Sequence, residues 1–174
     1  MSEDEIRRKA YELGFKYEAE YGGCCQSTIA AIQDTLGLRN DDVFKSGTGF
    51  GGGIGLVGKG VCGSLIGGAM MIGYMFGRDR SNFADPQRTR FLVYRLVERL
   101  YDKFVKEYGS AYCYDIQFKI FGGVAYDLRT EKGLRLFLEN GGHRDKCPHV
   151  VGKGAQWAVE IILDEMERRK KQTS

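Results

Sequence analysis

The chain has 174 residues, 43% of them hydrophobic, 28% charged and 12% aromatic, which suits one folded domain over residues 1–174 and excludes a disordered tail. A net charge of +3, from 26 Lys and Arg against 23 Asp and Glu, gives no strong pull toward nucleic acid or an anionic membrane. Glycine is the outlier: there are 25 against 2 prolines, and thirteen of them fall between Gly47 and Gly77. The opening Met1-Ser2-Glu3-Asp4-Glu5 is acidic and lacks the apolar core of a secretory signal, so the expected location is the cytoplasm, where five cysteines begin as thiols.

Ile6, Ala10, Leu13 and Tyr17 step by three and four and predict a first helix, stopped by Gly22-Gly23. A second begins at or just after Cys24, buries Ile29, Ile32 and Leu36, and ends at Gly37. Asp41–Ser46 reads as a poor strand, and the glycine-rich loop of residues 47–60 follows. Residues 62–76 carry no charge and are apolar all round, the mark of a helix enclosed by other helices. The uncharged run from Val61 to Gly77 is 17 residues, at the short edge of a membrane span, and its glycines argue for a soluble role. Gly63 and Gly67, four apart, allow another backbone to approach closely, from this chain or from a second copy in a homodimer.

From Pro86 to Tyr108 the pattern predicts a long amphipathic helix, with Pro86 in its first turn, Val93, Leu96, Leu100 and Phe104 facing inward, and Gly109 as its stop. Cys113–Tyr126 fits either a short strand or a helical turn. A short helix is expected over Lys132–Glu139 and a last one from Pro148 to Arg169, burying Val151, Ala155, Val159, Ile162 and Met166. The fold class is therefore mainly α: a compact helical bundle with a glycine-rich loop before a buried central helix.

Four cysteines share one habit. Cys24, Cys62, Cys113 and Cys147 all stand at or near the starts of predicted helices, where unpaired N–H groups and the positive dipole end favour a thiolate. Their spacings match no local zinc or ferredoxin pattern, so a shared site must be assembled by the fold.

These residues carry a family resemblance. Gly60-Val61-Cys62-Gly63-Ser64-Leu65-Ile66-Gly67 resembles the central motif of the C_GCAxxG_C_C redox-active proteins, with Ser64 in place of the usual alanine. Gly23-Cys24-Cys25-Gln26 is similar to the first cysteine segment, with Cys24 in the motif role and Cys25 the spare. Gly109-Ser110-Ala111-Tyr112-Cys113 and Lys146-Cys147-Pro148 resemble the third and fourth. The resemblance implies a helical protein whose four cysteines serve redox chemistry, with an iron–sulfur cluster among the cofactors it allows. A related split-Soret cytochrome architecture carries c-type haem, but no Cys-x-x-Cys-His occurs here and covalent haem is not expected. An electron carrier of this kind needs a redox partner protein.

Three readings follow. In the first, Cys24, Cys62, Cys113 and Cys147 ligate an iron–sulfur cluster or other metal, with backbone at Gly51, Gly52, Gly53 and Gly63 close to the sulfurs. In the second, the chain is a thiol–disulfide oxidoreductase or redox sensor, with Cys24 and Cys62 exchanging. In the third, the glycine loop cradles a nucleotide or phosphate. Its Gly47-Thr48-Gly49-Phe50-Gly51-Gly52 fits Gly-x-Gly-x-x-Gly in letters, without the strand that such a fingerprint follows. Next to Gly141-Gly142, His143 is expected to be a solvated surface side chain, as is His149; Met70, Met71 and Met75 read as core, and Trp157 as a buried anchor.

Overall fold

A computed structural model describes residues 1–173 and begins with a reciprocal cap. The Ser2 hydroxyl accepts from the Glu5 N–H while the Glu5 carboxylate accepts from the Ser2 N–H, opening α1 (Glu3–Tyr21). The Gly22 N–H closes the helix on the Glu18 carbonyl, and α2 (Cys24–Leu36) ends at Gly37 in the left-handed region. The segment read as a poor strand is instead a short helix, α3 (Asp41–Ser46). Its Asn40 side chain accepts from the Val43 N–H, and Asp41 and Asp42 suit the first turn.

The central helix α4 (Gly63–Phe76) forms as the all-apolar run requires. It packs against α2, α5 (Thr89–Tyr108) and α8 (Cys147–Thr173), so other helices of the same chain cover it. Fully buried Ile29 and Ile32 of α2 share one core with Met71 and Ile72 of α4, Leu100 and Phe104 of α5, and Val159, Ile161 and Ile162 of α8. Each such side chain contributes about 1.5–3 kcal/mol on burial. Trp157 is half-buried and meets the Phe104 ring edge-on at 5.3 Å.

Pro86 does not open α5. It lies in a turn, and the helix starts at Thr89 because Asp85 supplies the cap: its carboxylate accepts from the Thr89 and Arg90 N–H groups. Cys113–Ile120 settles as a helix, α6, with Cys113, Ile116 and Gln117 inward and Tyr114 and Phe118 outward, a helical rather than alternating pattern. α7 (Glu131–Glu139) forms where expected, one residue earlier at its start. Among the described residues there is no strand; Val61 and Tyr112 form one isolated antiparallel bridge. No described helix is long and apolar enough to cross a membrane.

In α1 the buried row is Ala10, Gly14 and Glu18: Ala10 belongs to the expected stripe, while Gly14 and Glu18 are buried one position beyond Leu13 and Tyr17. Ile6, Leu13 and Tyr17 flank it, half-buried. Small residues at 10 and 14 let α8 lie close along α1, the most extensive helix pairing in the fold, and this sets Glu18 facing inward.

Candidate thiol site

Four separate helix starts deliver the four cysteines. Cys24 is the first residue of α2, Cys62 caps α4, Cys113 opens α6 and Cys147 opens α8. The bridge at Val61 and Tyr112 stitches two of them together: the Cys62 N–H donates to the Ala111 carbonyl at 2.8 Å, and the Cys113 N–H to the Gly60 carbonyl at 3.0 Å. All four cysteines line one cavity of about 120 Å³.

The glycine-rich loop forms part of its wall through Gly51 and Gly52. Five consecutive residues, Gly52 to Leu56, have φ between +56° and +69°, a left-handed turn that includes Ile54 and Leu56. Such a turn costs L-residues about 1–2 kcal/mol each, and a β-branched residue there is an outlier. Glycine lets the backbone approach the cysteines closely: a Cβ at Gly53, in the loop, would collide with that of Cys113, and one at Gly63, the first residue of α4, would overlap the Cys24 sulfur. Gly51 and Gly52 line the cavity, Gly53 lies against Cys113 and Gly63 against Cys24.

The electrostatics run opposite to the helix-start expectation. Burial pushes the Cys24 and Cys147 thiols well above their ordinary pKa, raises Cys62 to about 12, and raises Cys113. The amides do act as expected: Ser64 and Leu65 N–H groups favour the Cys62 thiolate, the Gly52 N–H does so at Cys24, and the Gln117 side-chain amide lies 3.6 Å from the Cys113 sulfur. Desolvation outweighs them. At Cys147 the donors are also scarcer. A widened turn over Gly142–Lys146 sends the Cys147 N–H to the Gly142 carbonyl, and Pro148 has no N–H. In this form the four groups are thiols at neutral pH, not activated thiolates.

Cys25, the spare, is apart from the cavity. It is fully buried in the core with its sulfur 3.9 Å from that of Met70, and burial raises it to about 12. His149 is exposed, as expected, and meets the Tyr11 hydroxyl through Nδ1. His143 is 35% exposed, so it is partly solvated as its loop suggests, yet it also faces inward. It lines the cavity, its ring meets Phe137 edge-on at 5.2 Å, and its Nδ1 is 3.2 Å from Glu18 Oε1.

Glu18 itself was invisible to motif reading. It lines the same cavity with its side chain 3% exposed, and its charge helps raise all four thiols. The usable signal was the i, i+4 row of Ala10, Gly14 and Glu18, which places a carboxylate on the small-residue face of α1. Among the described residues, no three His, Cys, Asp or Glu side chains are gathered tightly enough for a single metal ion.

Comparison with known proteins gives the same emphasis. A protein from Archaeoglobus fulgidus, described only as an uncharacterized protein, is 27% identical over 170 residues, covering 95% of this chain and 99% of its own. No solved structure matches. The family model described as "Putative redox-active protein (C_GCAxxG_C_C)" matches residues 23–161, a span that takes in all four cavity cysteines and the glycine loop, and the chain belongs to that family.

Proposed function

We propose that this redox-active protein carries an iron–sulfur or other thiolate-bound metal group in the cavity of Cys24, Cys62, Cys113 and Cys147, and exchanges electrons with a partner protein. The observation that carries this reading is the meeting of four helix starts, far apart in sequence, around one cavity. The residues present fit such a group. Thiolates are the donors that iron–sulfur clusters use. A Cβ-free Gly63 leaves the Cys24 sulfur room, and Glu18 Oε2 is a buried oxygen without a partner.

The raised thiol pKa values support the same reading. Four buried thiolates are unfavourable alone, so loading requires a cationic group that displaces the thiol protons. When bound, the group supplies one-electron chemistry. The chain's own residues do the rest: the amides of Gly52, Ser64 and Leu65 stabilise negative sulfur, and Ile116, Phe137 and Val150 keep the wall apolar and limit water.

Disulfide exchange is the second reading, favoured by the backbone stitching of Cys62 to Cys113 and opposed by how little thiolate either holds at neutral pH. Phosphate cradling has less support, since a helix rather than a strand precedes the loop. Anaerobic purification, with an absorption spectrum, iron, zinc and sulfide assays and a thiol count on one sample, tests the proposal. Iron with sulfide and air-sensitive visible absorption is the expected result. A colourless, metal-free protein that gains two titratable thiols on reduction overturns it in favour of disulfide chemistry.

A further inference from the structure

Glu18 lies outside the residues matched by the family model, so nothing in that comparison gives it a role. Its position is nonetheless central. The side chain is 3% exposed, Oε2 is buried with no hydrogen-bond partner, and Oε1 has only His143 Nδ1 at 3.2 Å. No Lys or Arg lines the cavity into which it faces. A buried carboxyl oxygen without a partner calls for a hydrogen-bond donor or a cation. The same cavity is lined by the four cysteines, His143 and Gln117.

Resting on the metal-centre reading above, we propose that Glu18 is a fifth donor: its Oε2 binds the metal group that the four cysteines hold, making the centre a mixed thiolate and carboxylate site. Carboxylate oxygen is an ordinary ligand for iron and zinc. The position is built rather than incidental, because the Ala10, Gly14 and Glu18 row packs α1 along α8, the helix that begins at Cys147. His143 Nδ1 stands 3.2 Å from Oε1 without a hydrogen bond between them, so it neighbours this carboxyl group without anchoring it.

The test uses the full chain, reconstituted anaerobically with ⁵⁷Fe and sulfide and read by Mössbauer spectroscopy alongside iron and sulfide counts. Wild-type protein is expected to show a separate quadrupole doublet from oxygen-ligated iron. Glu18→Gln loses that doublet, keeps cysteine-bound iron and sulfide, and releases iron to a chelator at least roughly tenfold faster. Glu18→Asp retains the doublet. A wild-type spectrum with sulfur-ligated iron alone overturns the role of Glu18 whether or not the Gln variant folds, and so does a Gln variant identical to wild type. A wild-type chain that takes up no iron fails earlier, at the cysteine centre itself, and removes both readings.

Discussion

At the start of α5, Asp85 is buried, yet its oxygens accept from the Thr89 and Arg90 N–H groups and pair with the Arg90 guanidinium at 3.2 Å. Glu165, 3% exposed on α8, sits between Arg168 at 2.7 Å and Arg169 at 2.9 Å. At the cysteine cavity Glu18 is equally buried, but its Oε2 has no partner and no Lys or Arg lines the space. Burial alone would push Asp85 up, and the amides and Arg90 bring it below the usual carboxylate range; Glu165 is held low chiefly by Arg168. Two acids are thus answered by their own helix ends, while the third stands among thiols that burial forces toward neutrality. A buried acid that the chain satisfies is structural, and the one whose oxygen it leaves open is the basis of the donor role proposed for Glu18.

The sharpest way to break this contrast is to remove sulfurs one at a time. Changing Cys24, Cys62, Cys113 or Cys147 to Ser is expected to lose most of the bound iron in each case. Cys25→Ala keeps the iron and lowers stability by about 1 kcal/mol. Equal iron loss at all five positions, measured by metal analysis, would erase the distinction between cavity and core.

Next in size is the response to pH, which the two regions should give with opposite sign. The thiols of metal-free protein have folded pKa values above their unfolded value of about 8.5. Their contribution is fully present below that pH and is lost as pH rises through the folded values, with Cys62 at about 12. Asp85 and Glu165 are depressed, so theirs is present above about pH 4 and lost as pH falls further. Thermal melts of metal-free protein should therefore decline at both extremes. Cys62→Ala flattens only the alkaline limb and Glu165→Gln only the acid one. An alkaline limb that is already flat in wild type contradicts the buried-thiol description. The smallest effect concerns the loop: Ile54→Gly removes a positive φ from a β-branched residue and should raise stability by up to about 1 kcal/mol in denaturant melts, with iron content unchanged.

Much of the helical framework was legible because glycine punctuates it. Gly22, Gly37 and Gly109 each end a helix at positive φ, where a local rule suffices. The four cysteines were legible through their placement, and the structure gathers them around one cavity. What escaped the sequence depends on partners distant along the chain. The small-residue row of α1 is defined by what α8 brings against it, so hydrophobicity pointed to the flanking Leu13 and Tyr17 instead. His143 looked solvated beside Gly141-Gly142, and only the fold sets it against Glu18 and Phe137. Pro86 looked like a helix start until Asp85 took the capping role from within a turn. The thiol pKa direction needed the depth of burial, which a helix-start rule does not contain.

The positions of the cysteines along the chain carry a mechanical consequence. Cys24 to Cys62, Cys62 to Cys113 and Cys113 to Cys147 are separated by 38, 51 and 34 residues, and the four belong to four different helices. Any group bound to all four closes three long loops at once. Each closure of this size removes unfolded-chain entropy equivalent to about 3–5 kcal/mol when taken alone. The loaded site would then act as a clasp on the ends of α2, α4, α6 and α8. Losing its contents would loosen that end of the protein as a whole, so that damage at the centre is felt as resistance to unfolding as well as chemistry.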